Sequence, residues 1–270
     1  MQAALLNGQF IDTGQPALHL NEHGWLYGDG LYETMLLRND SIRFLADHLQ
    51  RLHAGCERLA MPVPAATLLL QELQMICAGQ QQAVIRLTLS RGRSGRGYRP
   101  PQVAQPTRVW QSFPVPAANQ DGIKLRWCAT QLSRNSLLAG IKHCNRLEQV
   151  LAQAEWRDAD ITEGLMQDTE GELVCGTMSN VFLVQEGRLI TPDLRYSGVA
   201  GVMRKNVLRL AAALNIESEQ RAVRAEEVQS AQEVFVCNAV RGIQPVVSLD
   251  RQRWPVGAVT QTLLGALQGC

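Results

Sequence analysis

Leu138-Ala139-Gly140-Ile141-Lys142-His143-Cys144-Asn145-Arg146-Leu147-Glu148-Gln149 is the stretch on which the reading of this chain turns. An apolar run leads into a lysine, and a helical pattern begins within a few residues of it. Lysine is scarce: of 26 Lys plus Arg, only Lys124, Lys142 and Lys205 are lysine. Chemistry that needs a primary amine therefore has three candidates. Lys124 falls on the polar side of an alternating strand, and Lys205 faces away from an apolar helix stripe, so both read as surface charges. Lys142 follows Leu137-Leu138-Ala139-Gly140-Ile141, where an ammonium is poorly solvated, and desolvation moves a lysine toward its free base. A neutral amine can attack a carbonyl, form a Schiff base and carry protons afterwards. A lysine snorkelling from a buried segment gives the same local pattern.

Downstream of Lys142, Leu147, Val150, Leu151 and Ala154 predict the apolar stripe of a helix over about 145–157. Upstream, Ile123, Leu125 and Trp127 alternate with Lys124, Arg126 and Cys128, as in a half-exposed strand. Pro114-Val115-Pro116-Ala117-Ala118-Asn119-Gln120 is proline-stiffened, short and uncharged, which suits a linker. It separates a domain over 1–113 from a larger one over 121–270. In the first, Ala4–Phe10 predicts a strand and a tight turn, Leu45–Leu59 and Thr67–Cys77 predict helices, and Ala83–Leu89 predicts a strand. Met61-Pro62-Val63-Pro64 ends the first helix, because proline and the residue before it both resist helix. In the second, 181–184 and 188–191 flank Gln185-Glu186-Gly187 as a hairpin. Met203, Val207, Ala211 and Leu214 mark a helix there, and Glu233–Cys237 a strand. The whole predicts an α/β (α+β) protein: a smaller N-terminal α+β domain and a larger C-terminal domain, with a crevice between them.

Composition narrows the function. With 270 residues, 46% of them hydrophobic and 19% charged, the chain is globular and long enough to bury a core without staples. A net charge of +1 supplies no field for nucleic acid or an anionic membrane. No apolar run approaches the roughly 18 residues of a membrane span, and the N-terminus lacks the basic and apolar regions of a signal peptide. Seven cysteines, at 56, 77, 128, 144, 175, 237 and 270, are scattered without a C-x-x-C pair. That argues against a metal site or disulfide framework and suits a reducing cytoplasm. Gly28-Asp29-Gly30 and the glycines at 92, 95 and 97 form neither a dinucleotide fingerprint nor a P-loop. Arg91, Arg93, Arg96 and Arg99 make one basic loop with Tyr98 as its aromatic residue, too little for a nucleic-acid platform.

The lysine stretch resembles that of the fold-type IV pyridoxal-phosphate enzymes, and most closely that of their lyase members. Tyr27-Gly28-Asp29-Gly30-Leu31-Tyr32-Glu33-Thr34, His48-Leu49-Gln50-Arg51-Leu52 and the Ser90–Tyr98 arginine-glycine loop are similar to successive blocks of that family. So are Ser179-Asn180-Val181-Phe182, Gly198–Arg204 and Cys237-Asn238-Ala239. The resemblance implies a two-domain fold with pyridoxal 5'-phosphate in the interdomain cleft, and a cytoplasmic homodimer. Lys142 would hold the cofactor as a Schiff base and then act as acid and base at the substrate carbon. Arg51 would reach the cofactor phosphate, although an amphipathic surface arginine reads the same way. Gly201-Val202-Met203 would open a helix whose N–H groups and dipole cradle that phosphate. Asn238-Ala239 would complete the cup, with a plain turn as the other reading of Asn238. The implied reaction is cleavage of 4-amino-4-deoxychorismate to 4-aminobenzoate and pyruvate, a step toward folate. A D-amino-acid or branched-chain aminotransferase is the alternative, and a cofactor-binding but catalytically idle scaffold a third reading.

One position departs from the family. A glutamate ahead of the Ser-Asn pair usually holds a proton on the cofactor's pyridine nitrogen; here that place is Cys175. Glu172, three residues along a strand, lies on the opposite face. A thiol, with a reference pKa near 8.5, is a poor counter-ion at neutral pH unless its surroundings make it a thiolate. A weaker electron sink should hurt transamination more than an elimination driven by aromatisation. Cys175 would then bias the enzyme toward elimination. A small buried cysteine of no chemical consequence, or a carboxylate repositioned from elsewhere, remains open. The substrate's two carboxylates call for fixed cations, and Arg96, Tyr98 and Arg241 are the expected contacts.

Overall fold

A computed structural model describes residues 4–117 and 121–268. Residues 118–120 of the expected linker, and Cys270, lie outside them. By its contacts the chain forms two compact units, Met1–Pro116 with Ile141–Asn145, and Ala117–Gly140 with Arg146–Cys270. The segment carrying Lys142 thus belongs to the first unit, although its sequence position falls within 121–270.

The first unit begins with β1 (Ala4–Leu6) and β2 (Gln9–Phe10), joined through Asn7 and Gly8 at φ 50° and 83°. Two positive φ values in a two-residue loop suit the twist of a tight hairpin, which is why an Asn-Gly pair stands there. There follow α1 (His23–Tyr27), β3 (Gly30–Arg38), β4 (Ser41–Ile42), α2 (Leu45–Arg58), α3 (Ala66–Cys77), β5 (Gln82–Ser90) and β6 (Thr107–Phe113). Six strands form one sheet in the order β2-β1-β6-β5-β3-β4. The alternation of β3 gives the sheet two unlike faces. Leu31, Glu33, Met35 and Leu37 are buried on the side of His48 and Leu52 of α2. Tyr32 and Thr34, with Arg86 and Thr88 of β5, stay half-buried on the other.

The second unit contains β7 (Ile123–Trp127), α4 (Leu147–Gln153), β8 (Ile161–Gln167), β9 (Leu173–Gly176), β10 (Asn180–Gln185) and β11 (Arg188–Pro192). It continues through α5 (Val202–Ala213), β12 (Ser218–Arg221), α6 (Ala225–Ser230), β13 (Glu233–Asn238), β14 (Gly242–Leu249), β15 (Gln252–Arg253) and α7 (Ala258–Gln268). Its nine-stranded sheet runs β12-β11-β10-β13-β14-β7-β8-β9, with β15 added to β14. Ile123, Leu125, Leu165, Leu183, Val234 and Val246 share one core, while Phe182 and Phe235, fully buried, alternate to the other face of the sheet and stack on each other.

One expectation is corrected. The helix after Lys142 spans Leu147–Gln153 rather than 145–157, and its apolar stripe points outward: Leu147 is 77% exposed, and Val150 and Leu151 are exposed with it. Ala152 is the residue that faces the core, beside Met166 and Cys175. Periodicity identifies an apolar face, and the partner that covers the face need not belong to the same chain. Among the described residues no helix is long and apolar enough to cross a membrane.

Candidate active site

In the first unit, Ile141–Asn145 runs along the free edge at the start of β3. The Tyr32 N–H donates to the Lys142 carbonyl at 3.0 Å and the Cys144 N–H to the Gly30 carbonyl at 2.9 Å, with Leu31 and His143 opposed. The Asn145 amide donates to the Gly28 carbonyl at 3.0 Å. These bonds clamp the backbone on either side of Lys142. Its side chain is half-buried, with Nζ 4.2 Å from the centre of the Tyr32 ring. The guanidinium of Arg86 lies 4.7 Å from the same centre. Arg86 donates to Thr88 Oγ1 at 3.4 Å and has no carboxylate partner among the described residues. Arg86 carries little signal in the sequence: it shares with Thr88 the less apolar face of a strand whose alternate residues Ile85, Leu87 and Leu89 are buried.

Arg51 lies on α2 and is fixed by Glu33: its Nε donates to Oε1 at 2.8 Å and its Nη2 to Oε2. His48 Nδ1 is bonded to the same carboxyl at 2.6 Å. Burial alone would push Glu33 up, but the charge and hydrogen bonds of Arg51, helped by His48, bring it down to about 2. The bidentate pair fixes the orientation of this guanidinium on α2.

The arginines of the glycine-rich loop divide into two kinds. Arg91 is buried, clasps Asp29 through Nε at 2.6 Å and Nη2 at 3.1 Å, and donates to the carbonyls of Leu59 and Ala60. It is part of the scaffold. Arg96 is exposed, and Tyr98, 85% exposed, touches the Tyr27 ring edge-on at 5.1 Å between centres.

In the second unit, Gly140 pairs with Val199, accepting from the Ala200 N–H at 2.9 Å. The same stretch leads into α5, which Gly201 caps without any capping side chain. The Asn180 amide donates to the Val199 carbonyl at 2.9 Å, and a Cβ on Gly201 would collide with Asn180 Oδ1. The helix start at Gly201-Val202-Met203 is therefore bare backbone on a rigid support, a fit for a phosphate group. Arg204 points elsewhere, donating to the Pro192 carbonyl and Gln220 Oε1 at 2.9 Å each. Asn238 Oδ1 accepts the N–H groups of Val240 and Arg241 at 3.1 and 2.8 Å, closing the turn in which Ala239 sits; the Arg241 side chain is exposed.

Cys175 is buried against Cys128, Leu132, Ala152 and Met166. Burial is the largest cause pushing its thiol up to about 12. Burial thus favours the neutral thiol over the thiolate that could have replaced the family's glutamate. Glu163 itself is fully buried beside the Gly176–Asn180 turn, another residue that the sequence reading did not single out.

Residues 30–249 match the model of the class IV aminotransferase family, and the chain belongs to that family, with its fold-type IV architecture. Within the family its homologues by sequence and by structure include aminodeoxychorismate lyases. It is 31% identical to the aminodeoxychorismate lyase of Vibrio harveyi over 268 residues, covering 96% of this chain and 99% of that one. The crystal structure of 4-amino-4-deoxychorismate lyase from Pseudomonas aeruginosa matches with 44% identity, a TM-score of 0.93 and 98% of both chains covered. The branched-chain amino acid aminotransferase of Escherichia coli matches at 25% identity and a TM-score of 0.89, over 99% of this chain and 93% of that one.

Proposed function

We propose that this chain is a pyridoxal-phosphate-dependent carbon–oxygen lyase that cleaves 4-amino-4-deoxychorismate to 4-aminobenzoate and pyruvate, in folate biosynthesis. The observation that carries the reading is the Lys142 amine beside the Tyr32 ring, with Arg86 at the same ring, in a chain so similar to lyases of that name. When bound, the cofactor supplies an electron sink for the carbon next to the substrate's nitrogen. The chain's own residues do the rest. Lys142 would hold the cofactor through its amine, and the same amine would take the proton from the substrate's ring carbon as the enolpyruvyl ether C–O bond breaks and the ring becomes aromatic. Tyr32 walls the amine on one side, keeping water from that face. Gly201-Val202-Met203 and Asn238-Ala239 hold the phosphate with backbone N–H groups, and Arg51 adds a guanidinium. Arg86, with no acid of its own, is the first candidate for a substrate carboxylate, and Arg96, Tyr98 and Arg241 are candidates for the other.

Cys175 favours the lyase over the aminotransferase reading. A neutral thiol cannot hold a proton on the pyridine nitrogen as an ionised carboxylate does, and transamination depends on that proton more than aromatising elimination does. We further propose a division into domains 1–113 and 121–270 joined by 114–120. We also propose a homodimer in the cytoplasm. A pocket of about 420 Å³ in the first unit is rimmed by Leu18, Leu20 and Trp25, and Leu20 is 81% exposed. Together with the outward stripe of α4, such apolar surface suits burial against a second copy. No disulfide joins the cysteines among the described residues, which suits a reducing compartment.

The test is release of pyruvate from 4-amino-4-deoxychorismate by purified protein without an added keto acid. Turnover only in the presence of a keto acid acceptor would make it an aminotransferase instead.

A further inference from the structure

Glu163 has no part in the chemistry above, yet it is among the most deeply buried ionisable groups of the second unit, with no solvent exposure. It stands on β8, where Leu165 pairs with Gly176 of β9. Its Oε1 accepts the Met178 N–H at 2.6 Å and the Ser179 hydroxyl at 2.8 Å. Its Oε2 is buried and has no hydrogen-bond partner among the described residues. Gly176 is glycine because a Cβ there would collide with Glu163 Oε1 and Ser179 Oγ. The turn is closed by the Gly176 N–H on the Ser179 carbonyl at 2.9 Å and tied to β8 by the Thr177 N–H on the Gly164 carbonyl at 3.0 Å. Cys175 enters this turn, and Asn180, which supports Val199 and Gly201, leaves it.

We infer that Glu163 is a positioning residue that works as a neutral carboxylic acid, its Oε1 gathering the Met178 and Ser179 donors so that the turn sets Cys175 and Asn180 in place. The asymmetry of the two oxygens is the reason. Two donors on one oxygen and none on the other match an acid whose proton sits on Oε2. A buried anion would leave half its charge without a donor, which is costly. The groups around it agree. Cys128, Cys175 and Cys237 are all raised, burial being the largest cause in each, so none ionises beside it. Arg241 draws it toward ionisation, as do the Met178 and Ser179 donors, but burial outweighs them and Glu163 is raised.

This inference rests on the proposed function only for what Cys175 and Asn180 serve, so the test separates the two. In infrared spectra of the cofactor-free protein at pH 7, a protonated-carboxyl band should be present and absent from Glu163→Gln. Glu163→Gln, which keeps the acceptor and replaces the O–H by N–H, should bind pyridoxal phosphate within about threefold of the parent. The pH dependence of its bound-cofactor absorbance should be unmoved. Glu163→Ala removes the acceptor; amide exchange at Met178 and Ser179 should accelerate, and cofactor affinity should fall by about tenfold or more. If Glu163→Ala does not fold, the infrared band and the Gln variant still decide. A missing band, or a Glu163→Gln variant whose absorbance titration shifts by a pH unit, would overturn the inference. Failure of the parent to bind cofactor would overturn the functional reading, while the band and exchange results stand apart from it.

Discussion

Asn180 and Gly201 fit together with no room for a side chain: Asn180 donates to the Val199 carbonyl at 2.9 Å, and its Oδ1 occupies the space a Cβ on Gly201 would take. Gly201 has φ −64°, which any residue can adopt, so crowding alone demands the glycine. Gly201→Ala should shift the start of α5 and cost about 1–3 kcal/mol of local packing. We expect pyridoxal phosphate affinity to fall about tenfold or more, read by fluorescence titration. An unchanged Kd would place the phosphate elsewhere.

The Glu33–Arg51–His48 cluster makes a stability prediction. Glu33 ionises more readily in the folded chain, at about 2, than in the unfolded one. Its contribution is thus fully present above about pH 5 and lost as pH falls through 2; it amounts to on the order of 3 kcal/mol. Arg51→Ala would leave a buried carboxylate with His48 alone, and should destabilise by about 3–5 kcal/mol at pH 7. Urea titrations at pH 7 and pH 3 check both. A variant that loses the same stability at each pH would contradict the pairing.

Arg91 and Arg96 stand five residues apart in one loop and should behave oppositely. Arg91→Ala leaves Asp29 with His23 as its remaining side-chain partner and takes the Arg91 donors from two carbonyls, and should lower Tm by several degrees. Arg96→Ala touches an exposed side chain and should leave Tm unchanged while raising KM by about tenfold or more, the worth of one charged hydrogen bond. Equal Tm losses in the two variants would remove the distinction.

Cys175→Glu tests the bias toward elimination. An ionised carboxylate in place of a thiol raised to about 12 should stabilise a protonated pyridine ring. Transaminase side activity should then rise by on the order of tenfold, with a change in lyase rate. Rates of pyruvate release and of amino transfer, measured side by side, decide it. If neither moves, the cysteine is without chemical consequence.

Much of this was legible in the sequence, for identifiable reasons. The Asn7-Gly8 turn, α2, α3, β5 and β13 follow from local period and turn chemistry, and the structure has them within a residue or two. What local pattern could not give was the partner of each surface. The stripe of α4 reads as a core face and is exposed. Arg91 reads as one of four loop arginines, yet it is buried because Asp29, sixty-two residues away, meets it. Glu163 and Arg86 were missed because their roles come from long-range neighbours: the turn after β9 and the ring of Tyr32. The lysine stretch was readable because lysine is rare here and a single strand edge presents it.

The most direct measurement is made at Lys142. Purified protein mixed with pyridoxal phosphate should turn yellow, and borohydride reduction followed by peptide mass spectrometry should find the cofactor fixed on the peptide containing Lys142. Lys142→Ala should abolish both the label and pyruvate release. A label on Lys124 or Lys205, or a Lys142→Ala variant that still turns over at the parent's rate, would contradict the account.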